Sequence, residues 1–189
     1  MMSLEAWSAV FSGATFVVIT ASAIAALVQL RHLRSSNQLA GMIEINRMWH
    51  DPQIQGWFNF VRDDLPAKLE DAAFRNGLAA ARIDRRIHVE LYVADYWEQI
   101  GAYVKHRLID EGPLLDLAFG QIIEFWEMLL PVTEIRRQRT GPSLYENFEY
   151  LAVRARQWSD ERPAGSYPKN LPRYAQFDGQ RRLGSGVPG

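Results

Sequence analysis

Glu98 follows Trp97, and Glu124 and Glu127 flank Phe125-Trp126. A carboxyl group held against an indole ring loses hydration, its pKa rises, and it becomes suited to general acid–base chemistry. The structural alternative is that each bonds an arginine or a tryptophan N–H, and arginine is plentiful here. A second set, Asp84, His88, Asp95, Gln99, His106 and Asp110, repeats at spacings of four and seven, which on one helix forms a single column. Two His–carboxylate pairs are the minimum of a metal site. The chain nevertheless contains no Glu-x-x-His, the pairing that metal-carboxylate bundles turn inward. On a continuous helix the column lies opposite the apolar stripes, so it reads as a solvated face.

Other chemistries find no support. There is no cysteine, which excludes disulfides, thiolate catalysis and cysteine-ligated metal centres. Neither a phosphate-cradling glycine loop, a nucleophile elbow nor a His-Glu-x-x-His motif is present. With a formal net charge of −1 the chain lacks the concentrated cationic character that phosphate backbones attract, so nucleic acid is not an expected partner. No cofactor or metal is expected, and the arginines of "EIRRQR" read as cations at a helix C-terminus.

The elements that would position these residues begin with an uncharged run over 6–30. As a helix it is roughly 37 Å long, against a hydrocarbon core of about 30 Å. A cleaved signal peptide is disfavoured because "MMSLEA" has no Lys or Arg and carries Glu5. Small residues recur four apart, Ala9 with Gly13, Ala21 with Ala25 and Ser22 with Ala26, a pattern that permits close packing against a partner span. Arg31 and Arg34 follow as the flank and as candidate lipid-headgroup contacts, and with Arg47 they place the C-terminal side in the cytoplasm and the N-terminus outside. Helix-forming residues and an apolar stripe of Leu30, Leu33, Met42, Ile45 and Trp49 carry the same helix on through 31–50, to a stop at Asp51-Pro52.

A helical domain is expected over 51–158, preceded by a short segment 1–5, the span and its extension, and followed by an extended arm over 159–189. Within it "QIQGWFNFVRDD" and "LPAKLEDAAFRNG" read as two short helices, the second starting near Asp64 with Pro66 in its first turn and stopping at Asn76-Gly77. A long central helix is predicted over 78–110, from Ile83, Ile87, Leu91, Ala94, Trp97, Gly101, Val104 and Leu108 on one stripe. The next spans 113–138, with Leu114, Leu117, Ile122, Phe125, Leu129 and Val132 inward and Pro131 interrupting it. A last helix opens on Ser143 and Glu146 at capping-box spacing and buries Leu144, Phe148, Leu151, Ala155 and Trp158. The class is all-α. The arm is rich in Pro and Gly, yet carries Tyr167, Leu171, Tyr174 and Phe177 as candidate contacts with a partner or with its own domain.

Tyr96-Trp97-Glu98, Gly101, Leu108-Ile109-Asp110, Phe125-Trp126-Glu127, Pro131, Arg136-Arg137 and Tyr145-Glu146-Asn147-Phe148 together give the chain a resemblance to an uncharacterised family of small bacterial proteins. The resemblance implies a membrane helix followed by a helical soluble domain, and a bacterial inner-membrane setting; it supplies no active site. The expectation is a single-pass protein that acts by binding. It would be an accessory, scaffold or assembly subunit of a larger membrane complex, respiratory or photosynthetic for example, or a self-associating homo-oligomer. A membrane-tethered enzyme using the carboxylates, or a signalling or stress protein, is the alternative.

Overall fold

A computed structural model of the chain describes residues 4–174, and every regular element among them is a helix. Helix α1, Leu4–Trp49, is unbroken over 46 residues, about 69 Å at the standard rise. It passes Arg31 and Gly41 without interruption because no proline before Pro52 withdraws a backbone donor. Asp51 then ends it: its carboxylate accepts the Gln53 N–H at 2.8 Å and so starts α2, Pro52–Asn59, with Pro52 where no intrahelical N–H is needed.

A π-helical turn, Phe60–Asp64, joins α2 directly to α3, Leu65–Glu70, so the two short helices expected here are one bent unit. The break falls at Asp71, not at Asn76-Gly77. Asp71 is extended and caps α4, Ala72–Ala79, through the Ala73 N–H at 2.8 Å, and α4 runs straight through Asn76 and Gly77.

The predicted helix over 78–110 is corrected most. Residues 80–89 leave the helix, and only α5, Glu90–Lys105, is regular. Local bonds outcompete the ladder in this stretch: Asp84 accepts the Arg86 N–H at 3.0 Å, and Arg136 reaches over to take the carbonyls of Leu78 at 3.0 Å and Ala80 at 3.4 Å. Ile87, assigned to the inward stripe by its spacing, is therefore 57% exposed, and Leu108, past the end of α5, is exposed as well.

Helix α6, Glu111–Thr140, is capped by Asp110 and continues through Pro131 uninterrupted. Leu129 and Val132 on either side are fully buried, and their packing outweighs one missing hydrogen bond. Leu117, expected inside, is 78% exposed. Helix α7, Glu146–Glu161, does not open on the Ser143–Glu146 capping box. Tyr145 sits in the left-handed region at φ 57°, buried, and reverses the chain just before the helix.

The core gathers α5, α6 and α7 around Trp97, Phe125 and Phe148, with Phe58 and Val61 from the bent unit. The end of α1 belongs to it too. Ile45 is buried, and the Trp49 ring meets Trp97 edge-on at 5.5 Å and Phe58 at 6.1 Å. The anchor helix is thus built into the domain at its far end.

Candidate functional site

The carboxylate and aromatic cluster is the first candidate, and each of its carboxylates is bonded within the protein. Trp97 is fully buried, stacked on Phe148 at 6.2 Å and close to Phe125. Glu98, next on α5, accepts the Phe148 N–H at 2.8 Å and the Asn147 side-chain amide at 2.7 Å. It caps α7 from a different helix, in place of the capping box. Glu124 takes both ends of the Arg62 guanidinium, at 3.0 and 3.3 Å, while that guanidinium lies 4.6 Å over the Phe125 ring. Glu127 pairs with Arg156. All three carboxylates are engaged by groups of the protein itself.

The Asp/His column is dispersed. Asp84, in the 80–89 loop, is ion-paired with Arg86 at 2.8 Å, and that hydrogen bond holds its carboxyl down to about 2. Asp95 bonds Arg85 and accepts the Tyr145 hydroxyl at 3.2 Å. Burial, with Asp95 beside it, pushes the Tyr145 phenol up. His106 terminates α5, Asp110 caps α6, and Gln99 bonds Tyr103. His88 is the exception to a solvated face, since it turns inward and is only 2% exposed. Its ring nitrogen lies 2.9 Å from Glu90, itself completely buried and with its second oxygen unpartnered. Desolvation drives the Glu90 carboxyl above its usual range. Among the described residues no group of three or more His, Cys, Asp or Glu is placed to hold a metal.

Sequence periodicity missed this buried pair, because the break at 80–89 moves His88 off the helix on which its phase was counted. A signal was present in Gly77: a Cβ there would stand 2.5 Å from the His88 ring, so the glycine makes room for it. Gly101 does the same for α7. Its Cβ would meet the Asn147 carbonyl oxygen at 2.1 Å.

The second candidate is the surface along α1. One 18-residue window of this helix has the apolarity to cross a membrane, and none of it is buried. Gly13, Ala21, Ser22, Ala25 and Ala26, the small residues expected to face a partner span, are all exposed; the Ala9 side chain lies outside the described residues. Arg31 and Arg34 are exposed one turn apart. Exposed apolar residues continue beyond them, Leu33, Leu39 and Ile43 each being about 60% exposed. Two clefts flank this extension. One, of about 400 Å³, lies between Gly41, Ile45 and Met48 on α1 and Tyr96, Ile100 and Leu108. The other, of about 480 Å³, runs along Leu39, Met42 and Ile43 to Pro113 and Leu117 on α6. Leu108 and Leu117, two of the residues assigned inward by spacing but found exposed, line these clefts.

The described part of the arm, 162–174, is tied down locally. Ser166 bonds Asp116 on α6, the Tyr167 hydroxyl donates to the Pro172 carbonyl at 2.9 Å, and Arg173 covers the Tyr167 ring at 4.1 Å. Tyr167, Leu171 and Tyr174 remain exposed, and Phe177 lies outside the described residues.

No curated protein and no solved structure is significantly similar to the chain. Residues 16–155, from the middle of the apolar helix to the last buried turn of α7, match a family described as a domain of unknown function, and the chain belongs to that family, DUF4760.

Proposed function

We propose that this protein is a non-catalytic, membrane-anchored accessory, scaffold or assembly subunit that binds a larger complex of the bacterial inner membrane. The observation that carries the reading is the uncovered apolar strip of α1. It does not stop at the arginine belt where a simple anchor would, but continues through Leu39 and Ile43, with Leu108 and Leu117 exposed beside it. Aqueous surfaces rarely keep a contiguous apolar strip without a partner. The small residues of the span give that partner a close approach within the bilayer. The bonded states of Glu98, Glu124 and Glu127 support a framework role for the cluster.

Topology follows from charge. Arg31, Arg34 and Arg47 on the C-terminal side favour a cytoplasmic domain and an external N-terminus. Because the chain has no cysteine, single thiols test this directly. An impermeant maleimide should label Ser3→Cys in intact cells and Ser185→Cys only after lysis; the reverse pattern would invert the assignment.

The function is tested by extracting the tagged protein from its own membranes in mild detergent and measuring its native mass, with mass spectrometry of what co-migrates. A stoichiometric complex that is lost in an Ile43→Glu, Leu117→Glu double variant supports the reading. A lone monomer, or a complex indifferent to that double variant, sinks it.

A further inference from the structure

Beside the apolar clefts the fold assembles a cationic one, from residues far apart in sequence. The connection between α5 and α6 leans on α1 so closely that a Cβ at Gly41 would meet Ile109 Cγ1 at 3.3 Å. That contact brings Lys105 and Arg107 from the end of α5, and Arg154 from α7, together with Arg34 of α1 around a polar cleft of about 580 Å³. Asp110 and Glu111 line it as well, and both are occupied. Asp110 accepts the Gly112 N–H at 3.1 Å, and Glu111 pairs with Arg154 at 2.6 Å. Lys105 bonds Glu146 and Asn147. The guanidinium groups of Arg34 and Arg107 have no hydrogen-bond or ion-pair partner among the described residues. Four cations against two lining carboxylates, with two guanidinium groups unspent, give the cleft an attraction for an anion. Arg107 also holds a left-handed backbone, φ 58°, a conformation that costs a non-glycine residue free energy.

Its height along α1 indicates which anion. Arg34 is four residues past Leu30, the last of the uncharged run, which is roughly 6 Å of helix rise. The headgroup layer on each side of a bilayer is about 5–7 Å thick. The cleft thus opens where lipid phosphates lie. We infer that it binds a phosphate-bearing anion at the membrane surface, through Arg34 and Arg107 with Lys105 and Arg154 behind them. This rests on α1 residing in the membrane, and the chemistry is shared by an anionic phospholipid headgroup and a soluble phosphate.

The test uses the full-length protein in non-denaturing detergent, with native mass spectrometry of adducts formed with phosphatidylglycerol, phosphatidylcholine and inorganic phosphate. Arg34→Gln and Arg107→Asn remove the two unpaired charges, asparagine being tolerant of the left-handed backbone. Arg82→Gln, an exposed arginine of the 80–89 loop, is the control outside the cleft. Phosphatidylglycerol should bind in preference to phosphatidylcholine, each cleft variant should weaken it about five-fold, and Arg82→Gln should leave it within about two-fold. Saturable inorganic phosphate with the same sensitivity to both variants would support the cleft and assign it to a soluble phosphate. Equal binding of both lipids with no phosphate binding, or an anion preference that both variants leave intact, overturns the inference. Resistance to alkaline carbonate extraction reads the anchor separately, so failure of the membrane reading and failure of the cleft give different results.

Discussion

Glu98 of α5 accepts the backbone N–H of Phe148 at 2.8 Å, fifty residues away, and so supplies the N-terminal cap that α7 does not make for itself. Replacing it by alanine leaves that donor without its acceptor and also frees Asn147. Glu98→Ala should lower stability by about 1–3 kcal/mol and Glu98→Gln by less, since the amide oxygen still accepts. Chemical denaturation of the detergent-solubilised protein checks this. An unchanged transition combined with lost cellular function would instead point to an enzyme.

Gly101 and Gly56 make an internal contrast. Gly101→Ala would place a methyl group 2.1 Å from the Asn147 carbonyl oxygen, a backbone atom that cannot swing aside, while the same change at Gly56 meets nothing within 4 Å. Gly101→Ala should destabilise by roughly 2 kcal/mol or more as α5 and α7 are forced apart. Gly56→Ala, in an exposed turn of α2, should stabilise by about 0.5–1 kcal/mol. Thermal unfolding of the two variants side by side gives opposite signs.

The buried Glu90 has a pH signature. Burial raises its pKa in the folded state above the unfolded value of about 4.3, so between those two values the native state holds more protons than the unfolded one. Stability is highest below that window and falls as pH rises through it. Glu90→Gln should remove this component of the decline. Denaturation midpoints of both proteins across the acid range would reveal it as a difference in slope.

The extension of α1 is part of the domain. Trp49 packs against Phe58 and Trp97, and Ile45 is 6% exposed. A chain beginning at residue 31 should fold with a cooperative transition and native near-ultraviolet circular dichroism, and one beginning at residue 50 should not. Ile45→Ala in the full chain should cost about 2–4 kcal/mol.

What the sequence determined alone is what local chemistry decides. The absence of any helix breaker carries α1 past the uncharged run, Asp51-Pro52 defines its stop, and the apolar periodicity of α5, α6 and α7 makes the domain helical. The match of the family over 16–155 accords with the resemblance carried by the Trp97-Glu98 and Phe125-Trp126-Glu127 segments. Periodicity went astray where a competing bond came from elsewhere in the chain. Arg136 of α6 takes the carbonyls at the end of α4, so the helix phase counted through 80–89 does not exist, and His88 and Glu90 turn inward. The Ser143–Glu146 spacing was a valid cap signal, displaced by Glu98 once Tyr145 was buried in a left-handed turn. Only the tertiary structure decided that Glu98, Glu124 and Glu127 bond Phe148, Arg62 and Arg156, that Leu108 and Leu117 stay outside, and that Arg34 stands beside Arg107 and Arg154. The physical reason is the same in each case. A helix is chosen by neighbours three and four residues apart, whereas the partner of a charged or capping side chain is chosen by which surfaces the packed helices bring together.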